Sequence, residues 1–210
     1  MRVLCVFCLL VPLISYSEIT YRGGSDGLAK RRQIIEGYWL SEVITEKDIP
    51  NIHKDGVRVV LSAVPLSDAT LASMGAYGIK RVPILMGNTF HHEREILETV
   101  KSYPSGQILI HCKYGCDRTG VIAAFILAVH HRWSTADALY SVITRSNESA
   151  RRLGLIIARH GIDDTRNLNS NPDIGKYAHR SGDGLKTNDP SYVQLIDTTV
   201  RSINRHRSNL

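Results

Sequence analysis

The segment 108–129 constrains the fold of this chain more than any other part of the sequence. It begins with three apolar residues, 108–110, passes through a short loop that contains Gly115, and continues into a stretch, 119–129, in which nearly every residue is apolar. A helix that is apolar on all sides must be buried. The sequence therefore predicts that a strand, a loop and a helix lie at the centre of the fold.

The loop in this segment combines a thiol, an arginine and a run of backbone amides. Cys112 and Arg118 stand six positions apart, and the predicted helix begins near Arg118. Backbone N–H groups wrapped around one point, with the positive end of a helix aimed at it, favour a tetrahedral anion. The same field favours the thiolate form of Cys112, which is the form that attacks an electrophile.

At these residues the chain resembles the cysteine-dependent phosphatases of the protein tyrosine phosphatase superfamily. Their motif is His-Cys, five residues, Arg and then Ser or Thr, which the sequence matches at His111, Cys112, Arg118 and Thr119. The resemblance implies that Cys112 attacks phosphorus, Arg118 holds the phosphoryl oxygens, and water then hydrolyses a cysteinyl-phosphate. It also implies that Thr119 helps the thiolate to leave and that His111 orients the loop.

The resemblance also calls for a general acid, usually an aspartate on the loop after the strand that corresponds to residues 79–85. Residues 86–90 contain no carboxylate. Asp117 is the favoured replacement, because the ending Gly-x-Asp-Arg-Thr-Gly resembles the signature of myotubularin lipid phosphatases and of some bacterial phosphatases of broad specificity. A structural role for Asp117, as an ion-pair partner or a helix cap, is an equal alternative. Four further residues are alternative candidates for the general acid and are called the reserve acids: Asp68, His91, His92 and Glu93.

Composition points to an anionic ligand. The formal net charge is +6, which favours anions without saying which kind. Nucleic acid is not expected, because the basic residues are scattered, aromatic residues make up only 7% of the chain, and no nucleic-acid motif is present. The predicted substrate-binding residues are Arg22, Lys80, Arg81, Lys113, Tyr114, Gly115, Cys116 and Arg118.

Residues 1–17 have the pattern of a secretory signal. Arg2 precedes an apolar run, 3–14, and Ser15 and Ser17 are small residues before the expected cut. The run is too short to span a membrane. We therefore expect an exported protein, periplasmic or secreted, in which residues 18–210 form a single monomeric cysteine-phosphatase domain without stable membrane insertion.

Together, the leader and the cations resemble the bacterial PTP-like phytase group, which implies an inositol polyphosphate such as phytate as substrate. Three alternatives stay open: a tyrosine or dual-specificity protein phosphatase, a phosphoinositide phosphatase, and an inactive module that binds phosphate. The cations that favour a polyanion are also compatible with ordinary solvated side chains.

Cysteine and histidine spacing limits redox and metal chemistry. Cys5 and Cys8 fall in the leader, which leaves Cys112 and Cys116, so Cys116 either traps an oxidised Cys112 as a disulfide or is a small packing residue. The pairs at 91–92 and 130–131 are adjacent, which is not chelating spacing on a helix. Neither a metal nor another cofactor is predicted.

Strands that alternate with helices predict an α/β fold with a mostly parallel central sheet flanked by helices, like the protein tyrosine and dual-specificity phosphatases. Thr45 and Asp68 are predicted to cap the first two helices. The remaining elements are predicted as strands near 38–40, 57–61 and 79–85, helices over 93–103, 134–146 and 149–160, a long loop over 163–189 and a packed terminal helix from about residue 192.

Overall fold

The computed structural model describes residues 32–33, 35–115, 117–143 and 190–208. Its centre is a five-stranded sheet whose strands are β1 (Arg32–Gln33), β2 (Trp39–Ser41), β3 (Val59–Ser62), β4 (Lys80–Pro83) and β5 (Ile108–His111). The order across the sheet is β1-β2-β5-β3-β4, and only β1 runs antiparallel to its neighbour. The predicted α/β fold with a mostly parallel sheet is confirmed.

Helices connect the parallel strands and cover both faces of the sheet. They are α1 (Ile49–Lys54), α2 (Asp68–Ala76), α3 (Glu93–Ser102), α4 (Asp117–Val129), α5 (Thr135–Ile143) and α6 (Pro190–Ser208). Short 3-10 turns lie at Ile35–Gly37 and Ser105–Gln107. The predictions of α3 and α4 are confirmed within a few residues at each end, and those of α5 and the terminal helix within a few residues at their starts. The predicted end of α5, 144–146, lies outside the described residues.

Two hydrophobic clusters lie on opposite faces of the sheet because successive strand residues point to opposite sides. Leu61 and Ile110 belong to the larger cluster, with α4, α5 and α6. Val60 and Leu109 belong to the smaller one, with α1 and α2. Every residue of α4 from Thr119 to Val129 is buried, as its apolar sequence predicts. The helix is therefore held in place from all sides. We call residues 112–118, which contain Cys112 and lead into the first turn of this helix, the cysteine loop.

The predicted caps of the first two helices were wrong. Thr45 precedes α1 by four residues, and its backbone N–H and hydroxyl both donate to the carboxylate of Asp48. The helix starts later, and Pro50 lies in its first turn, where a missing N–H costs no helical hydrogen bond. At α2 the cap is Ser67, whose hydroxyl oxygen accepts from the N–H of Thr70 at 3.2 Å. Asp68 is instead the first helical residue.

Several predictions concern residues outside the described part of the chain. They are the leader over 1–17, Arg22, Cys116, the helix over 149–160 and the loop over 163–189. Among the helices that the structure describes, none combines the length and apolar character that a membrane crossing requires.

Candidate active site

The cysteine loop lies at the carboxyl edge of the sheet, where β2, β3, β4 and β5 all end. In open sheets of this kind the crevice at that edge is where ligands bind. Cys112 follows β5 directly and is only 4% exposed. Its Sγ lies 3.6 Å from the hydroxyl of Thr119, which is fully buried in the first turn of α4. The predicted sequence of strand, loop and helix is thus present, with the thiol beside the threonine.

The loop is held from one side by the segment that follows β2. The N–H of Cys112 donates to the carbonyl of Ser41, and the N–H of Val43 donates to the carbonyl of Lys113, each at 3.4 Å. Gly115 has a φ of +68°, and a Cβ there would lie 2.6 Å from the backbone nitrogen of Glu42. These backbone contacts were not predicted from the sequence, because nothing in a Ser-Glu-Val segment indicates which loop it will touch.

The first turn of α4 brings the charged residues of the loop together. Asp117 and Arg118 are its first two residues, and both are partly buried. One carboxylate oxygen of Asp117 is shielded from solvent. The helix N-terminus carries partial positive charge and free N–H donors. Arg118, the second residue of α4, adds a full positive charge to this turn, which favours an anion beside Cys112.

His111 is fully buried under the loop. Its Nε2 lies 2.9 Å from the hydroxyl of Ser62, the last residue of β3. Burial, with a smaller contribution from the nearby positive charge of Arg81, lowers the pKa of His111 to about 4, while its interaction with the backbone of Cys112 opposes that shift. The ring is therefore neutral near pH 7 and is suited to orienting the loop rather than to carrying charge.

The other predicted substrate-binding residues are divided between the mouth of the site and more distant positions. Lys113 and Tyr114 are exposed at the mouth, with the ammonium 5.2 Å from the centre of the tyrosine ring. Arg81 lies within β4 with its Nε buried. Lys80 begins β4, three residues or about 10 Å from the carboxyl edge. The structure therefore does not bring Lys80 to the cysteine loop.

The loop after β4, residues 84–92, carries no carboxylate in the structure, as the sequence indicates, and it is anchored to α6. The N–H of Phe90 donates to the hydroxyl of Thr198 at 2.8 Å, and the Phe90 ring packs 4.9 Å from that of Phe125. Glu93, at the start of α3, accepts a hydrogen bond from Ser202 at 2.8 Å and lies 3.7 Å from Arg205. The carboxylate of Glu93 is therefore bonded to residues of the terminal helix α6.

The remaining reserve acids lie around the edge of the site. Asp68 is exposed at the start of α2. His92 has a left-handed φ of 70°, and its ring reaches back to the carbonyl of Leu85 at 3.3 Å. Burial and the neighbouring His92 lower the pKa of His91. Among all the candidate acids, Asp117 is the one that lies in the cysteine loop itself, and its role as the acid stays a prediction.

In the adjacent pair of histidines at 130–131, the ring of His131 has two polar neighbours. His131 lies 2.9 Å from the hydroxyl of Tyr38 and 3.6 Å from the carboxylate of Glu36. Within the described ranges, no group of three or more His, Cys, Asp or Glu side chains is arranged to hold a metal ion.

A buried thiol at the end of a parallel strand, followed by the N-terminus of a buried helix, is an arrangement that can hold a tetrahedral anion beside the thiol. Residues 83–132 match a family model described as "Tyrosine phosphatase family". This range extends from the end of β4 past the end of α4 and includes the whole loop. The match and the fold confirm the predicted resemblance to the protein tyrosine phosphatase superfamily, and they support a cysteine-dependent phosphatase.

Solved structures resemble this chain at low sequence identity. A crystal structure of PTPMT1 is 16% identical, with a TM-score of 0.50, over 86% of this chain and 99% of that chain. TpbA from P. aeruginosa is 19% identical, with a TM-score of 0.47, over 62% of this chain and 83% of that one. The catalytic domain of the PP-IP phosphatase SIW14 from S. cerevisiae is 18% identical, with a TM-score of 0.45, over 68% and 93%. No curated protein matches this chain in sequence.

Proposed function

We propose that the protein is a cysteine-dependent phosphomonoesterase that works through a cysteinyl-phosphate. The observation that carries the proposal is the placement of the Cys112 thiol 3.6 Å from the Thr119 hydroxyl, between the end of β5 and the N-terminus of α4. A purely structural cysteine at the end of a core strand needs no arginine and no helix N-terminus beside it.

In the first step the thiolate of Cys112 attacks phosphorus, the S–P bond forms and the bond from phosphorus to the leaving oxygen breaks. Arg118 and the amides of the loop hold the three remaining phosphoryl oxygens. The carboxyl group of Asp117 gives a proton to the leaving oxygen.

In the second step water attacks phosphorus, its proton passes to Asp117, and the S–P bond breaks. The hydroxyl of Thr119, which lies beside the sulfur, donates a hydrogen bond to the departing thiolate.

The substrate that we propose is an inositol polyphosphate such as phytate. Lys113 follows the nucleophile directly and is exposed at the mouth, where its ammonium can pair with a second phosphate on the same molecule. The net charge of +6 acts in the same direction by raising the local concentration of polyanions. Export through the leader over 1–17 belongs to the same proposal, because extracellular phytate is a source of phosphate.

A phosphotyrosine protein is the second candidate, and one observation favours it. Tyr114 is 59% exposed and Val43 is 40% exposed, and the backbone of Val43 is bonded to Lys113. Both therefore lie at the mouth of the site. Such an exposed apolar rim suits an aromatic ring that enters with its phosphate.

A substrate panel at one pH under reducing conditions tests these proposals. The panel compares inositol hexakisphosphate, a phosphotyrosine peptide and phosphoinositides, with Cys112→Ser as the control for contaminating activity. We expect the highest kcat/KM for inositol hexakisphosphate. A higher kcat/KM for the phosphotyrosine peptide would contradict the phytate proposal and favour a protein phosphatase. Phosphate binding without turnover of any member, aryl phosphates included, would identify an inactive binding module.

A further inference from the structure

Lys113 and Tyr114 form a cation–π pair at the mouth of the site. The ammonium of Lys113 lies over the ring of Tyr114, 5.2 Å from its centre, which is within the range of a stabilising contact of this kind. In an extended segment, the side chains of consecutive residues point to opposite sides. These two side chains meet because the chain bends at residues 113–115 of the cysteine loop.

The backbone that carries this pair is held by the segment after β2. The carbonyl of Lys113 accepts from the N–H of Val43 at 3.4 Å, and Gly115 lies against the backbone of Glu42. Both side chains of the pair are exposed to solvent, whereas Gly115 is buried. The position of the ammonium is thus set by rotation of its own side chain, and the face of the aromatic ring favours one arrangement.

We propose that Tyr114 is a positioning residue that holds the ammonium of Lys113 at the mouth, where it binds a second phosphate of a polyphosphorylated substrate. An ammonium has three N–H donors, so it can face the ring on one side and donate to phosphate oxygens on the other. A lysine side chain that is already held by the ring loses less rotamer freedom when the substrate binds.

The place of Lys113 in the chain limits the substrates that this pair suits. Lys113 follows Cys112 directly, so the second phosphate must lie within reach of one lysine side chain from the phosphate that reacts. A cyclitol with phosphates on neighbouring carbons meets this condition, whereas a monophosphate does not. The identity of the substrate rests on the proposed function, whereas the coupling between the two side chains does not.

Calorimetry on the full chain tests this role in a Cys112→Ser background, where ligands bind without turnover. Inositol hexakisphosphate is the probe with further phosphates, and inorganic phosphate is the probe for the loop alone. Tyr114→Leu removes the aromatic face and should weaken binding of inositol hexakisphosphate about two- to fivefold, the effect of an exposed cation–π contact, and that of inorganic phosphate less. Tyr114→Phe keeps the face and should keep the affinity. The control is Tyr77→Leu, which removes another exposed tyrosine, directly after α2.

A double-mutant cycle with Lys113→Gln separates positioning from direct contact with the ligand. If the ring acts through the ammonium, Tyr114→Leu should cause no further loss of affinity for inositol hexakisphosphate once Lys113 is replaced. Equal losses with and without the ammonium would overturn the positioning role. So would an unchanged affinity in Tyr114→Leu, equal losses in Tyr114→Leu and in either Tyr114→Phe or Tyr77→Leu, or binding of inositol hexakisphosphate no tighter than that of inorganic phosphate.

Turnover by the unmodified protein distinguishes failure of this role from failure of the proposed function. Hydrolysis of an aryl phosphate together with a negative result in the cycle would leave the phosphatase in place and remove the role of Tyr114. A loss of affinity in Tyr114→Leu that is confined to a phosphotyrosine peptide would also remove it, and would assign the ring to the aryl group of the ligand. Conversely, the expected coupling in a protein that hydrolyses no phosphate would remove the proposed function and keep the positioning role in a binding module.

Discussion

Gly115 lies so close to Glu42 that no other residue fits at this position of the cysteine loop. A Cβ on Gly115 would lie 2.6 Å from the backbone nitrogen of Glu42 and 2.7 Å from the carbonyl carbon of Ser41, and the φ of Gly115 is +68°. The obstructing atoms are backbone, which cannot rotate away as a side chain can. The end of β2 therefore sets the path of the loop around the anion position.

Gly115→Ala should inactivate the enzyme by displacing the loop. The positive φ costs about 1–2 kcal/mol for a non-glycine residue, and relief of the clash requires a backbone shift that we expect to lower kcat about a hundredfold. Gly78→Ala is a matched control, because Gly78 has a φ of +65° and open space around its Cβ position. Kinetics and thermal unfolding of both variants measure the difference. Equal effects would show that the clash with Glu42 has no catalytic consequence.

Cys112→Ser should abolish turnover while substrate affinity is kept. The hydroxyl oxygen is a poor nucleophile at neutral pH, but the amides of the loop and Arg118 still bind the phosphoryl group. Affinity is measured by calorimetry with the preferred substrate of the panel, and turnover by phosphate release. Residual activity above about 1% of the unmodified rate would contradict the assignment of the nucleophile.

Asp117→Asn should slow alkyl phosphates, such as inositol phosphates, far more than aryl phosphates. An alkoxide is a poor leaving group and needs the proton, and general acid catalysis contributes about 10²–10⁴-fold. A nitrophenolate leaves without a proton. The ratio of kcat/KM for alkyl and aryl phosphates is measured at one pH in the unmodified protein and in Asp117→Asn. A change in this ratio shows whether Asp117 acts as the general acid. If both substrates slow by the same factor, Asp117 has a structural role in the first turn of α4.

Thr198→Val should weaken the attachment of the loop over 84–92 to α6. It removes the acceptor of the Phe90 N–H, which should lower the free energy of unfolding by about 1 kcal/mol and speed hydrogen exchange of that amide. Thr199→Val is the control, because the hydroxyl of Thr199 is buried but donates to the carbonyl of Leu195 within α6. Faster exchange at Phe90 in the control as well would indicate a general loosening of the helix.

Stability should fall as pH decreases from 6.5 towards 4 because of His111. Its pKa is about 4 in the folded protein against the ordinary 6.5, so the unfolded chain binds the proton more readily. The contribution is fully present above pH 6.5 and is lost as pH falls through 4, and the shift corresponds to about 3 kcal/mol. Urea unfolding across this range should show a smaller dependence on pH in His111→Gln. An equal dependence in both proteins would assign the titration to other groups.

The motif and the buried helix could be predicted from the sequence because their information is local. The spacing of Cys112, Arg118 and Thr119 implies the loop, and an apolar stretch without a polar face implies burial of α4. The helix starts were less predictable. Thr45, Ser67 and Asp68 are all good capping residues, and the choice among them depends on where the preceding strand ends.

What the sequence by itself determined is which reactive and charged residues the loop contains and the class of the fold, because both depend on residue types at short spacing. What only the tertiary structure decided is the set of distant neighbours. It placed Ser62 on His111, the backbone of Glu42 against Gly115, Thr198 on Phe90, and Lys80 at the far end of its strand. These relationships depend on strand order and register, which place residues far apart in the chain side by side.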